Sequence, residues 1–102
     1  MTIQLDPVGA ETEAIHQFVN FEEQDILEVG CGDGRLTARY AHAAASVVAL
    51  DSDADAVASA IAKAVDQQLY SRNGPVDFQV ADITTFDLKP NSYDLALFSW
   101  SL

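Results

Sequence analysis

The sequence predicts a doubly wound α/β fold around a parallel sheet, and three observations carry that expectation. Short apolar runs alternate with stretches of helical periodicity, in the order strand, helix, strand, helix, strand. One run, Val47-Val48-Ala49-Leu50, is continuous in apolar residues, as expected of a parallel strand covered on both faces. The run from Asp25 to Val29 opens directly into a glycine-rich turn, Gly30-Cys31-Gly32-Asp33-Gly34, which leads into a helix. Such a turn lets backbone N–H groups approach a ligand that side chains would hold away.

Taken in order, residues 1–6 read as a loose start. Pro7 can open a helix, and Ala14, Ile15, Phe18 and Val19 recur at helical spacing, which predicts a helix over 7–20 laid against the sheet. Ile26 to Val29 is the first strand, apolar except for Glu28. Leu36 to about Ala44 is a helix, and Val47 to Leu50 is the second strand. Ser52 or Asp53 can cap the next helix. In it Val57, Ile61, Val65 and Leu69 recur every four residues as one apolar stripe, and Asn73-Gly74-Pro75 stops it. Val76 to Val80 is a third strand. Tyr93 to Phe98 is a fourth, reached through Asp87, Pro90 and Asn91. Right-handed crossovers leave few topologies for this order.

A length of 102 residues allows one domain at most, and about half of them are apolar. Sixteen acidic residues against five basic ones give a net charge of −11. So negative a chain repels phosphate backbones and anionic lipid, which argues against nucleic-acid or membrane binding through a basic patch. The acids are mostly Asp, and the balance is similar to that of proteins from salt-loving organisms. The single cysteine, Cys31, excludes an internal disulfide, and no Cys/His cluster has metal-ligand spacing. Neither a signal-peptide pattern nor a run of membrane-spanning length is present, so a cytoplasmic location is the expectation.

The glycine turn has the spacing Gly-x-Gly-x-Gly. A dinucleotide fingerprint needs Gly-x-Gly-x-x-Gly. Its third glycine would fall on Arg35 counting from Gly30, or on Thr37 counting from Gly32, so both frames fail. An ordinary strand-to-helix loop remains the plain alternative. With Glu28 two residues before it, the turn resembles the nucleotide-binding turn of class I S-adenosylmethionine-dependent methyltransferases. The resemblance covers residues 25–102. It implies a Rossmann-like sheet with the strand order 3-2-1-4, of which this sequence supplies the first four strands, with the C-terminal half of the usual domain absent.

The resemblance also implies a site beyond the carboxyl ends of the strands, where strand order reverses. Gly30, Gly32 and Gly34 would wrap the methionine part and ribose of S-adenosylmethionine, with Glu28 near its amino-acid end. Cys31 reads as a small apolar filler of the turn rather than a nucleophile. Asp51 would accept both ribose hydroxyls, with Ser52 beside it; its alternative is a helix cap. Asp82 would accept from the adenine amino group and Ile83 would pack on the ring; the alternative for Asp82 is a turn-starting loop residue. Ser99 and Trp100 would lie near the transferring methyl group, although Trp100 could equally be a buried aromatic. Asp94 reads as structural. His16 and His42 are expected to be surface or packing residues, and no catalytic base or metal ligand can be named.

Two functional expectations compete. In one, the chain is the cofactor-binding portion of a methyltransferase with an unidentified small-molecule or protein acceptor. In the other, it is a truncated, catalytically inactive module that binds the cofactor or a partner. The second draws on the apolar fourth strand, whose expected open edge would favour self-association. A dehydrogenase-type nucleotide binder is a third reading, disfavoured by Arg35 and Thr37.

Overall fold

In the computed structural model, which describes residues 2–6 and 21–99, five parallel strands form one sheet. They are β1 (Thr2–Asp6), β2 (Asp25–Val29), β3 (Ser46–Asp51), β6 (Asp77–Val80) and β7 (Leu95–Ser99). Their order is β1-β7-β2-β3-β6. The last four reproduce the order 3-2-1-4 expected from sequence, read from β6 to β7. Between them lie α1 (Thr37–Tyr40), a 3-10 turn over Ala41–Ala43, α2 (Ala54–Gln67), the short ladder of β4 (Tyr70–Ser71) with β5 (Gly74–Pro75), and a 3-10 turn over Pro90–Ser92. Among the described residues, no helix is long and apolar enough to cross a membrane.

The sheet core explains the apolar runs. Ile26 and Leu27 of β2, Val47, Ala49 and Leu50 of β3, and Leu95 and Leu97 of β7 are all buried. Ile26 stands between Val47 and Leu95 in the register, so the central strand has apolar neighbours on both sides. At their amino ends these three strands are stitched by side chains. The Asp94 carboxylate accepts from Asp25 N at 2.8 Å, and the Asp25 carboxylate accepts from Ser46 Oγ at 2.7 Å. Asp94 therefore has the structural role expected of it.

The structure corrects the expectation of a loose start. Thr2–Asp6 is a strand, paired in parallel with all of β7 from Thr2↔Leu95 to Asp6↔Ser99. The strand-four edge that was expected to lie open is therefore covered by the chain's own β1. The physical reason is backbone satisfaction: an apolar strand with a bare row of N–H and C=O groups is costly, and a five-residue segment supplies the missing partners. The edges of the five-stranded sheet are β1 and β6.

Two further expectations shift. The helix after the glycine turn is a single α-turn followed by 3-10 geometry rather than a helix to Ala44. The stripe of α2 also differs: Val57 is buried, but Ile61 and Val65 are exposed, and the residue buried beside Val57 is Ala60. A strict four-residue spacing overshoots the 3.6-residue turn by about 40° per step, so the stripe walks off the sheet-facing side. The helix stops before Asn73-Gly74-Pro75, at Gln68, whose φ of 51° places it in the left-handed region. Asn73 belongs instead to the β4–β5 connection, and Gly74 and Pro75 form β5. The helix expected over 7–20, with His16, lies outside the described residues, as does Trp100.

Asp53 caps α2, accepting from Asp55 N at 3.0 Å and Ala56 N at 3.3 Å through Oδ1. Asp53→Ala should destabilise the chain by about 0.5–2 kcal/mol, read as a lower midpoint in urea denaturation. Ser52→Ala, at the exposed neighbour with no capping bond, should leave the midpoint unchanged.

Candidate functional site

Strand order reverses between β2 and β7, and the glycine turn leaves β2 at that point. Gly30 and Cys31 both donate to Leu50 O, at 2.8 and 3.0 Å, which ties the start of the turn to the end of β3. Gly32 has φ +57° and donates its N–H to Asp51 Oδ2 at 2.8 Å. The other oxygen of Asp51 accepts from Asp53 N at 2.8 Å. One half-buried carboxylate thus joins the turn after β2 to the start of α2. The sequence offered two roles for Asp51, ribose acceptor and helix cap. In the structure Asp53 makes the cap, and Asp51 ends β3 beside the glycine turn.

Gly34 has a different duty. Its φ is +84°, and an added Cβ would lie 3.3 Å from Ala60 Cβ and 3.4 Å from the Phe78 ring. The turn ends pressed against α2 and β6, where a side chain would force them apart.

Glu28 lies in the middle of β2, between Ala49 and Leu97, with 0 % exposure. Its Oε1 accepts from Thr37 Oγ1 and Tyr40 OH, both at 2.7 Å. Tyr40 in turn stacks on Phe21 with ring centroids 4.6 Å apart. Burial, reinforced by the Glu28 carboxylate, holds the Tyr40 hydroxyl well above its ordinary value of 10.0. The structure thus gives Glu28 two hydroxyl partners from α1. Sequence reasoning did not single out Thr37 and Tyr40. The usable signal was their three-residue spacing on a helix, which faces both hydroxyls toward one buried acid.

Cys31 is buried in the turn, with Sγ donating to Gly32 O at 3.6 Å. Burial, with the Glu28 and Asp51 carboxylates nearby, raises its thiol from 9.0 to about 12. It stays protonated near neutrality, as a filler and not a nucleophile.

Asp82 follows β6 on the exposed rim. Its Oδ1 accepts from Thr84 N at 2.9 Å and Thr84 Oγ1 at 2.7 Å, and these bonds hold its carboxyl below the usual 3.8. Ala81 N donates to Asp51 O at 3.0 Å, which fastens the start of this loop to the end of β3. Ile83 beside it is half-buried and Ser52 is exposed. The backbone of Ser99 closes β7, opposite Asp6 of β1. His42 is exposed on the 3-10 turn, away from these groups. The strand ends therefore bring together the glycine turn, Asp51 and the Asp82 loop, while Glu28 lies beneath them. Among the described residues, no group of three or more His, Cys, Asp or Glu is arranged to hold a metal ion.

This arrangement is matched by a known family. The profile of the methyltransferase domain fits residues 26–102. The chain belongs to the methyltransferase-domain family. A phosphoethanolamine N-methyltransferase of Zea mays is 33 % identical over 98 % of this chain but only 20 % of its own length. A solved S-adenosylmethionine-dependent methyltransferase from Methanosarcina mazei is 26 % identical with a TM-score of 0.65, over 91 % of this chain and 41 % of the other. The [4+2]-cyclase SpnF is likewise 26 % identical, with a TM-score of 0.71 over 83 % of this chain and 31 % of its own. The chain spans about a fifth to a third of the length of the curated relatives it matches.

Two measurements test the site's construction. Gly34→Ala should lower stability by about 1–2 kcal/mol or more, from the left-handed φ alone, read by urea denaturation. For the pH series, Cys31 and Tyr40 favour the protonated form when folded, whereas an unfolded thiol titrates near 9.0 and an unfolded phenol near 10.0. Their contribution is therefore complete below pH 9 and is lost as the pH rises toward and past 12. Thermal midpoints should be unaffected by these two groups up to pH 9 and fall above it. Cys31→Ala should remove the part of that fall which begins near pH 9.

Proposed function

We propose that this chain supplies the S-adenosylmethionine-binding portion of a methyltransferase. The observation that carries the reading is the pair of carboxylates at adjacent strand ends, Asp51 closing β3 and Asp82 following β6, beside a glycine turn at the switch point. The donor and acceptor chemistry fits the cofactor. Asp51 has two oxygens for a ribose diol, each with a lone pair beyond the backbone N–H it already accepts. Asp82 Oδ2 is left for an exocyclic amine, and Ile83 offers an apolar face to a ring. The N–H groups of Gly30, Cys31 and Gly32 are taken by Leu50 O and Asp51, so these three residues have carbonyl oxygens to offer the amino-acid end. Glu28, buried beneath, acts as a positioning residue through Thr37 and Tyr40.

S-adenosylmethionine, when bound, supplies an activated methyl group on a sulfonium. The residues of this chain then have three tasks. Asp51 would hold the ribose, the Asp82 loop would hold the base, and the turn after β2 would hold the amino-acid end. Alignment of this kind is the main contribution a protein makes to an in-line displacement. The Ser99 position, at the end of β7, is assigned to the methyl side of the cradle. The acceptor is an unidentified small molecule or protein. The charge balance suits concentrated salt, and the cell interior is the proposed location.

A second reading, a binding module without methyl transfer, has support in the likeness to SpnF, since a cyclase shares this architecture. Labelled-methyl transfer to a panel of acceptors separates the two.

Titration calorimetry in low and high potassium chloride tests ligand choice. S-adenosylmethionine or S-adenosylhomocysteine should bind, and NAD should bind more weakly, because no third dinucleotide glycine is present. Tighter NAD binding would overturn the reading. Asp51→Asn should weaken cofactor binding by about 1.5–3 kcal/mol, roughly tenfold to 150-fold. Because Asp51 also holds Gly32 N and Asp53 N, the variant's thermal midpoint is measured alongside. A fall in the midpoint with unchanged affinity would make Asp51 a purely structural acid.

A further inference from the structure

The chain's few cations are unevenly used. Of its five lysines and arginines, Lys63 pairs with Asp33 at 2.7 Å, Arg72 with Glu22 at 3.0 Å, and Lys89 stands 3.9 Å from Asp87. Arg35 and Arg39 are the exceptions. Neither guanidinium has an ion-pair or side-chain hydrogen-bond partner among the described residues, in a chain where acids outnumber bases sixteen to five. Both line the same open cleft of about 380 Å³, between the end of the glycine turn with α1 and the flank of α2.

The cleft has two chemistries. Its rim carries Arg35, Arg39 and the Lys63–Asp33 pair, and its floor is apolar, from Phe78, Leu69, Ala60 and Ala64. Its volume lies in the range of small-molecule sites, about 300–1,000 Å³. It is also separate from the proposed cofactor cradle: Asp51, Asp82, Gly30 and Gly32 do not line it, and only Asp33 and Gly34 of the turn are shared. A guanidinium is matched to phosphate and carboxylate by its planar fork. Among the described residues the rim sets three cations, Arg35, Arg39 and Lys63, against the one carboxylate of Asp33, which both Lys63 and Arg35 attract, so net positive charge is left for an anion.

We propose that this cleft binds a small organic anion, with a phosphate or carboxylate head on Arg35 and Arg39 and an aromatic or aliphatic body on Phe78 and Leu69. The site is independent of the methyltransferase reading, since it uses none of the acids at the strand ends. Occupation would press on Gly34, where the turn meets Ala60 and Phe78.

The probes are phenyl phosphate and benzoate, with inorganic phosphate and acetate as their counterparts without a body. All are titrated by calorimetry into the full chain at low ionic strength, with and without saturating S-adenosylhomocysteine. At least one aryl anion should bind roughly tenfold or more tightly than its counterpart, because the apolar floor adds to the charge term. The double substitution Arg35→Gln/Arg39→Gln should weaken that binding roughly tenfold or more, while Arg72→Gln, at an arginine outside the cleft, leaves it unchanged. Ala64→Phe, which fills the floor and keeps every charge, should bring the aryl anion down to the affinity of its counterpart. Three results would each overturn the proposal: no saturable binding of either aryl anion, equal affinity for the ions without a body, or affinity unchanged in the double variant. Loss of phenyl phosphate or benzoate binding in the presence of S-adenosylhomocysteine would place the anion in the cofactor cradle instead and would also overturn it.

Discussion

A carboxylate with no exposure to water, set in the central strand of an apolar sheet, governs much of this structure. Left unpaired, Glu28 would cost several kcal/mol, more than a domain of this size can spare. Two hydroxyls converge on one of its oxygens, and both come from the turn of helix that follows the glycines. That requirement sets where α1 begins and which face it turns to the sheet. It also fixes how far the glycine turn can travel before the chain must come back over β2. Tyr40, held there, gives Phe21 its stacking surface and so brings the segment before β2 into the same core.

The two ends of the strands are built differently. At the amino ends, Asp94, Asp25 and Ser46 link β7, β2 and β3 by short side-chain bonds, and acid residues there are spent on structure. At the carboxyl ends, acids accept from loop backbone and keep lone pairs in reserve. Asp51 bonds to Gly32 N and Asp53 N, and Asp82 to the Thr84 backbone and hydroxyl. An acid that already accepts from N–H groups is held in orientation without a cation beside it, which suits a chain so poor in lysine and arginine. The same scaffold can therefore serve different chemistries by altering what lies above the rim.

Much of this was legible in the residues. The apolar runs of β2, β3 and β7 report burial on both faces, and the turn spacing separates this family from dinucleotide binders through two residues, Arg35 and Thr37. Asp94 and Cys31 also had the bland roles that their settings suggested. What could not be read depended on partners distant in sequence. Thr2–Asp6 alternates polar and apolar residues, yet five residues are too few to show a period, and the strand exists because β7 needs a neighbour 93 positions away in the pairing of Thr2 with Leu95. The outward drift of Ile61 and Val65 was obscured by the abundance of alanine in α2, because Ala60 is small enough to face the turn at Gly34 and carries no hydrophobic signal of its own. The cap at Asp53 was legible, but the bond from Gly32 N to Asp51 was not, because it follows from the path of the turn, which composition does not encode.

The pairing of β1 with β7 has a consequence for the order of assembly. Pairing of β2 with β3 closes a short loop and can proceed as soon as both have been synthesised. β1 is synthesised before β2, but its partner strand β7 follows 93 positions behind it in the pairing of Thr2 with Leu95. Throughout that interval β1 is a strand without a ladder, and the β2–β3–β6 unit lacks one of its flanks. Docking of β7 between β1 and β2 then completes two ladders in one event, with contacts of high sequence separation that slow the final step. β7 is thus the keystone of the described sheet, which stays open along the line where β7 will enter until residues 95–99 have been made.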